Sequence, residues 1–479
     1  MRSNENRDFS GVLMVSMPLG LFCLGAIAFL LLWAGADDEP FALTPRGGPP
    51  ASTQALASSS TAVGTGFSNS GDPGKALREA AAMAQKGNPH APDFVILFAS
   101  AGSDAKAIHA AARETFGART QVFGGTSDSR AVVTDKGLVN VTSRGYEAAT
   151  GEGARGLVLM TITSPEIAFG TSAVDPSVYP SVREAASAAV LRAVQRAHKT
   201  LQDRPKVILT SPTIGIEDDM LEGIQSVFGR DVVVLGGTAG GPTPAVWGGG
   251  ESYDKGFSLA LLYTDLTVGW TFEGGFDVTD AHQGRVTAVD GQGIVQIDGR
   301  PALDVYDEWL GGEITRLVRE GGKLDTVRDL LTLHPIYRRY RSAEGNDLFL
   351  FSHPWPKDPA LRDRTVMTST RIREGETVFL SHGTWETLLN RIGALPKNAL
   401  VRGGLNVSER PLLGIGFLCG GVMGVIPEVE RQKIPILLSY SSNQAPFIAN
   451  FTWGEQGLLP GIGAKHGNLT TGFLVIAAR

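Results

Sequence analysis

The sequence predicts an α/β protein (α+β overall) with two mixed-sheet domains, the first of which contains a duplicated β-α-β unit. Three observations support this. One apolar–helical–apolar pattern occurs twice between residues 94 and 250, each copy ends in Gly-Gly-Thr, and an uncharged apolar segment precedes both copies. The chain has 479 residues, which is more than one hydrophobic core normally uses.

The apolar segment runs from Val12 to Trp33 and contains no charged residue. A helix that crosses a bilayer needs about 20 such residues, so we expect one transmembrane helix and assign residues 1–36 to a signal-anchor. Arginines precede the segment and acidic residues follow it. This charge bias predicts a single-pass membrane protein whose body lies on the non-cytoplasmic side. A signal peptide cleaved after Ala34-Gly35-Ala36 is the alternative.

Residues 37–90 follow the anchor and include stretches rich in proline, glycine and serine. Such a composition buries too little apolar surface to offset the entropy of ordering the chain. We therefore expect a flexible linker between the membrane and the body.

The duplicated unit begins with an apolar run at residues 94–98, continues as a helical stretch that ends at Phe116-Gly117, and closes with a second apolar run at residues 120–123. The second copy follows at a constant offset, with Val207, Phe228 and Gly236 at the places of Val95, Phe116 and Gly124. Runs that are apolar on both faces are typical of strands covered by helices, and glycine favours a helix C-terminus. Each copy therefore predicts one β-α-β crossover.

The two Gly-Gly-Thr segments should lie at the carboxyl ends of their strands, where open α/β sheets place ligand crevices. Glycine permits close approach of a ligand to the backbone, and the polar residues beside it offer contacts. The candidate ligand-binding residues of this crevice are Gly124, Gly125, Thr126, Ser127, Asp128, Gly236, Gly237 and Thr238. The alternative is that the glycines only turn the chain. Neither copy is a dinucleotide or P-loop motif.

Composition and spacing exclude several classes of function. The 43 Lys and Arg are scattered among 49 Asp and Glu, and the net charge is −6, which argues against a nucleic-acid partner. The histidines and the two cysteines lack the short spacings of metal sites, so we predict neither a metal nor another cofactor.

Cys419 raises the question of catalysis, because His466 and Asn468 follow it as potential partners of a cysteine nucleophile. The apolar run before Cys419 instead predicts a buried strand, in which a free cysteine packs as a small hydrophobe. We therefore do not expect an enzyme, and a Cys419-dependent hydrolase or transferase is the alternative. Asp298 and Glu455 lie beside glycines in apolar surroundings, where a carboxylate suits an amine-bearing ligand. All five residues are included in the candidate ligand site.

Several segments beyond the repeat resemble the FIST family. They are Gly269-Trp270, residues 295–306, His334-Pro335, residues 373–378, residues 417–421, residues 453–455 and residues 466–470. The resemblance implies a FIST N-like domain at residues 91–270 and a FIST C-like domain at residues 271–479. The sequence departs from the family at Gly420-Gly421, where an arginine is expected shortly after the cysteine.

The resemblance implies a function as a sensory domain protein in signal transduction, which binds a small ligand such as an amino acid or a similar metabolite. FIST domains commonly accompany signalling output domains, and this sequence contains no recognisable one, so we expect a separate signalling protein as partner. Some members of the family are described as haem-binding gas sensors, which is a minor alternative here because no axial histidine is identifiable. A third possibility is that the body has lost ligand binding and serves as an interaction scaffold.

Overall fold

The structure is a computed structural model that describes residues 60–128, 131–139, 156–322 and 324–479. The predicted membrane span at residues 12–33 lies outside these ranges. Within them, no helix is both long enough and apolar enough to cross a bilayer.

The described part of the chain contains three copies of one α/β unit, where the sequence predicted two. Copy one consists of β1 (Ala62–Ser68), α1 (Pro73–Ala84), β2 (Phe94–Ala99), α2 (Ala105–Phe116), β3 (Gln121–Thr126), β4 (Val132–Thr134), β5 (Gly137–Val139) and β6 (Leu157–Thr163). Copy two consists of β7 (Ile167–Val174), α3 (Val182–Arg196), β8 (Val207–Pro212), α4 (Glu217–Phe228), β9 (Val233–Gly237), β10 (Val246–Gly248), β11 (Glu251–Tyr253) and β12 (Phe257–Thr264).

Copy three begins with β13 (Thr267–Gly274) and is then interrupted by an inserted α+β region. The insertion consists of β14 (Asp277–Asp290), β15 (Gly293–Ile297), β16 (Arg300–Pro301), α5 (Ala302–Trp309), α6 (Glu313–Arg319), α7 (Leu324–Leu333), β17 (Ile336–Arg341), β18 (Asp347–Ser352), β19 (Pro354–Pro356), β20 (Val366–Thr368) and β21 (Thr377–His382). Copy three resumes with α8 (Trp385–Arg402), β22 (Leu413–Cys419), α9 (Gly420–Val425), α10 (Glu428–Arg431), α11 (Lys433–Ser441), β23 (Phe447–Thr452), β24 (Glu455–Leu459), β25 (Gly463–Gly467) and β26 (Thr470–Ala477).

Each copy builds a six-stranded sheet in the same order: its first strand, its last strand, its second and third strands, and then a hairpin. The hairpin always comes from another copy. Copy one's sheet receives β10–β11 from copy two, copy two's receives β24–β25 from copy three, and copy three's receives β4–β5 from copy one. We call this cyclic assembly the ring. The insertion forms its own sheet beside it.

The predicted β-α-β crossovers are present. Strand β2 is parallel to β3 and β8 is parallel to β9, and the connecting helices end at Gly117 and Gly229, both with a φ of 82°. The register differs by one residue between the copies, because Val95 pairs with Val122 whereas Val207 pairs with Val233. The two copies keep one constant spacing along the sequence, but their parallel strands pair in registers that differ by one residue.

The central core lies where the three sheets meet, and it contains buried side chains from all three copies. The Phe98 ring of copy one packs edge-on against the Phe417 ring of copy three, at 6.0 Å between centroids. Phe94 stacks on Phe169 of copy two at 4.6 Å. Such aromatic pairs add stability beyond the area they bury, so the ring is held together by contacts between copies.

A glycine in the first strand of each copy lets a helix lie directly on the sheet. Gly64, Gly170 and Gly269 occupy the same register in β1, β7 and β13. A Cβ atom at each would overlap a backbone carbonyl oxygen of the covering helix: that of Ala84, Ala193 or Ala399 respectively. Interiors at packing density leave no room for an added methyl group at such a contact.

Two predicted boundaries differ from the structure. The flexible linker predicted for residues 37–90 is wrong from Ala62 onward, because β1 pairs with β6 along its whole length and α1 buries an alanine-rich face. The glycines and alanines of this segment serve close packing and do not make it flexible. The boundary predicted between residues 270 and 271 falls inside β13, which pairs with the C-terminal strand β26.

Candidate functional site

The carboxyl ends of the parallel strands of all three copies converge around Asp128. Asp128 follows β3, and its backbone N–H donates to the carbonyl of Phe451 in copy three at 2.8 Å. A Cβ atom on Gly240 of copy two would lie 2.5 Å from its Oδ1, and one on Gly420 of copy three 2.6 Å from its Oδ2. The two glycines therefore provide the space that this half-buried carboxylate occupies.

We define the strand-end cluster as Ser127, Asp128, Gly240, Cys419, Gly420, Thr452, Glu455 and Thr470. Backbone oxygens from different copies join it. The Ser127 hydroxyl lies 2.6 Å from the Ala131 carbonyl and 3.0 Å from that of Phe451. Thr126, just before the cluster, donates to the Gly240 carbonyl at 3.0 Å. Copy one is thus tied to both other copies at this end of the ring.

Glu455 is the fully buried acid of the cluster. Its Oε1 accepts a hydrogen bond from the Thr452 hydroxyl at 2.8 Å, and its Oε2 accepts from the Thr470 hydroxyl at 2.9 Å and the Thr470 N–H at 3.1 Å. Burial raises the pKa of Glu455 to about 8, and the charge of Asp128 adds to this rise against the lowering effect of the hydrogen bonds. At neutral pH Glu455 is therefore mostly protonated.

Cys419 ends β22 and is 2% exposed. Burial raises the pKa of its thiol well above the usual value, and the neighbouring Glu455 raises it further. A nucleophilic cysteine needs the opposite, a positive or polar environment that lowers the thiol pKa. The geometry therefore favours the packing role for Cys419.

The fully buried side chains that make no hydrogen bond within the described residues include two in β8 and β23. They are the carboxamide of Asn450 and the hydroxyl of Ser211. Asn450 lies two residues before Thr452 in β23, so the two side chains share a face, and Thr452 donates to Glu455. Buried polar atoms without partners are uncommon and call for water or a ligand.

The four glycines of the Gly-Gly-Thr segments lie within β3 and β9 and not in turns. Cβ atoms there would clash with protein atoms: Leu97 and Trp247 for Gly124, Ser211 for Gly125, Thr210 for Gly236 and Thr452 for Gly237. These glycines let neighbouring strands pack closely against β3 and β9, so they do not form the wall of the predicted ligand crevice. Gly237 touches Thr452 and Thr126 bonds to Gly240, but only Ser127 and Asp128, which follow the first segment, contribute polar side chains to the strand-end cluster.

The threonines of the same segments stabilise loops. The Thr126 hydroxyl accepts from the Ala245 N–H at 3.1 Å. The Thr238 hydroxyl donates to Glu217 at 3.1 Å and accepts from Gln456 at 3.0 Å. Both side chains are fully buried, which indicates a structural role and not the predicted ligand contact.

Of the remaining candidate residues, Asp298 lies apart from the cluster, in the exposed turn between β15 and β16, where its carboxylate accepts from the Arg285 N–H at 3.0 Å. Asn468 fixes the turn before β26, with its amide donating to the Trp453 carbonyl and its N–H to that of Phe351. His466 is 2% exposed in β25 and its Nε2 has no partner among the described residues. Asp298 therefore lies in the insertion, away from the cluster. His466 lies in β25, which pairs with the strand of Glu455, and Asn468 lies in the turn before Thr470.

Sequence reasoning missed Gly240, Thr452, Thr470 and the buried Asn450 and Ser211. Gly240 could have been predicted from the sequence repeat, because it occupies the position in copy two that Asp128 occupies in copy one. The others required recognition of the third copy, in which Ala449-Asn450-Phe451 stands where the other copies have Gly-Gly-Thr.

The fold and this site define a three-copy α/β ring with one acidic strand-end cluster. Residues 93–300, from β2 into the insertion, match the family model of the FIST N domain. FIST domains form a family of sensory domains. This confirms the predicted family resemblance for that part of the chain.

No curated protein matches the chain. Among solved structures, cyanuric acid hydrolase from A. caulinodans is similar over 87% of this chain and 99% of that chain, with 8% identity and a TM-score of 0.34. A likeness at that score supports no statement about activity. Within the described residues, no group of three or more His, Cys, Asp or Glu side chains is arranged to hold a metal ion.

Proposed function

We propose that this protein is a sensory module that binds a small ammonium-bearing ligand, such as an amino acid, at the strand-end cluster. The observation that carries the proposal is the carboxylate of Asp128, half-buried where all three copies meet. A carboxylate in a partly desolvated position attracts a cation more strongly than one in water.

The neighbouring groups suit a neutral or cationic polar ligand. Because burial raises the pKa of Glu455 to about 8, this acid is mostly protonated at neutral pH and adds little negative charge beside Asp128. The buried Asn450 amide, on the same face of β23 as Thr452, provides a donor and an acceptor that have no partner among the described residues. A ligand with an ammonium group and further hydrogen-bonding atoms would satisfy both features.

The same geometry supports binding over catalysis. A cysteine enzyme needs an accessible thiolate, and Cys419 is buried beside an acid. We therefore propose that occupancy of the site is reported to a separate signalling protein. We also propose that residues 12–33 hold the module at a membrane, on the basis of their uncharged apolar sequence.

The test is a thermal-unfolding screen of the full-length chain in detergent with each common amino acid and its N-acetyl derivative. We expect at least one amino acid to raise the midpoint in a saturable way, because a ligand that binds only the folded state stabilises it by about 2.7 kcal/mol at 100 times its Kd. Its N-acetyl derivative, which lacks the ammonium group, should have no effect.

The variant Asp128→Asn removes the charge and keeps the shape, and we expect it to weaken that binding at least about tenfold. Asp231→Asn, at an exposed position after α4, is the matched control and should bind as wild type does. The proposal fails if no amino acid shifts the midpoint, or if Asp128→Asn binds as tightly as the control.

A further inference from the structure

A second cleft lies between copy two of the ring and the inserted region, and it has a volume of about 560 Å³. Residues of α4 and β25 line one side, and residues of β17 and of the segment before β21 line the other. The volume lies within the usual range of small-molecule sites. The cleft is separate from Asp128, which does not line it.

Positive charge dominates the lining. Six cationic side chains border the cleft, against the three carboxylates of Asp218, Glu222 and Glu376. The cations are Arg183, Arg230, Arg338, Arg371, Arg373 and Lys465. This concentration stands out in a chain whose net charge is −6.

Four of the arginines are at least partly neutralised by carboxylates. Arg371 lies 3.4 Å from Asp219. Arg183 pairs with Glu222 and also lies 3.7 Å from Asp219. Arg338 lies 3.5 Å from Glu376, and Arg373 lies 3.9 Å from Glu222. Within the described residues, Arg230 and Lys465 have no such partner.

The unpaired cations experience the field of their neighbours. Burial lowers the pKa of the Lys465 ammonium, the charges of Arg338, Arg230 and Arg373 lower it further, and Asp218 opposes them. Lys465 instead lies over the ring of Tyr340, 5.8 Å from its centroid. Among the described residues Lys465 therefore lies close to arginines and forms no ion pair, an arrangement that suits an anionic ligand.

The geometry of Arg338 also suits an anion in the cleft. Its side chain is almost completely buried, and its guanidinium donates to the Arg371 carbonyl at 2.9 Å and to the Thr370 hydroxyl at 3.1 Å. Its Nε–H has no partner among the described residues. His466, which also borders the cleft, leaves a buried ring nitrogen unpaired as well.

We propose that this cleft binds a small anion that carries a phosphate or pyrophosphate group. Guanidinium groups form paired hydrogen bonds to such oxyanions, and the flexible Lys465 and Arg230 supply the two unpaired charges. The bound anion would contact both the ring and the insertion. It would therefore join these two parts of the chain, and its occupancy does not depend on the ligand proposed for Asp128.

The test is calorimetric titration of the full-length chain in detergent with inorganic pyrophosphate, at constant ionic strength held with sodium chloride. We expect saturable binding to the wild type. Lys465→Gln and Arg230→Gln should each weaken it at least tenfold, while Lys465→Arg retains it. Lys75→Gln, on an exposed helix of copy one, is the control and should bind as wild type does.

Thermal midpoints without ligand show whether each variant is folded, and Arg230→Gln, at an exposed position, provides a second variant if Lys465→Gln unfolds. Anion binding in the cleft is supported if the wild type binds pyrophosphate saturably, both variants weaken this binding and the control retains it. No saturable binding, or equal binding by all variants, overturns it. Asp128→Asn should bind pyrophosphate as wild type does, so failure of this proposal is distinct from failure of the ammonium site.

Discussion

Where copy one has Gly125 and copy two has Gly237, copy three has Asn450. Each of the three residues pairs with the first residue of a hairpin donated by another copy: Val246, Glu455 or Val132. The backbone is therefore the same while the side chains differ. In copies one and two the position is filled by contacts from Ser211 and Thr452, and in copy three it carries a buried amide that has no partner in the part of the chain that the structure describes.

A second difference lies at the strand ends, where copy one has Asp128 and copy two has Gly240. The small residue in one copy provides the space for the charged residue of the other. Repetition thus accounts for the shape of the ring, and the departures from it create the chemically distinct centre.

The largest effect should come from the glycines that all three copies share. Gly64→Val, Gly170→Val and Gly269→Val each place a side chain against a helix backbone carbonyl, which cannot move without shifting the helix. We expect each to destabilise the fold by ~3 kcal/mol or more. The measurement is chemical unfolding followed by circular dichroism.

Gly424→Ala in α9 is the control for these variants, because no atom lies within 4 Å of the added Cβ. It should cost nothing and can stabilise the helix by up to ~1 kcal/mol. A wild-type unfolding midpoint for any of the three valine variants would contradict the idea that the copies pack in the same way.

A smaller effect should come from Glu455, which copy three contributes to the strand-end cluster. Its pKa rises to about 8 on folding, so the folded state binds more protons than the unfolded state. The stability that depends on this proton is fully present below the unfolded pKa and is lost as the pH rises through the folded value. Relative to Glu455→Gln, the wild type should lose ~1.4 kcal/mol per pH unit within that window.

Urea titrations of both proteins between pH 5 and pH 8 measure this difference. Glu386→Gln, on the exposed first turn of α8, is the matched control and should follow the wild type. Parallel curves for the wild type and Glu455→Gln would mean that the pKa of Glu455 is not raised in the folded protein.

The smallest signal should be the alkylation of Cys419 in the native chain. Because its thiol is buried and its pKa is raised, iodoacetamide at neutral pH should label the native chain at least ~100-fold more slowly at this residue than the chain in urea. Mass spectrometry of the Cys419 peptide measures the two rates. Fast labelling of the native chain would instead support the alternative that Cys419 is a reactive thiol of an enzyme. It would contradict a packing role for this residue.

Much of the local structure follows from the sequence. The apolar run of β2 predicted a strand buried on both faces, and Phe116-Gly117 predicted the end of α2, because strand burial and helix termination depend on neighbouring residues. Asp128, Cys419 and Glu455 were among the candidate residues and lie together in the structure. Their shared environment was not predictable, since Asp128 and Glu455 come from opposite ends of the ring's sequence.

The sequence by itself determined the two β-α-β crossovers, the match to the FIST N domain and the charged residues available for a site. The tertiary structure decided that a third copy completes the ring, that Gly64 and its equivalents serve packing, and that Asp298 lies apart from Asp128. The physical reason is that propensity and helix capping act within a few residues. Hairpin exchange and the burial of Glu455 and Asn450 depend on contacts between segments hundreds of residues apart.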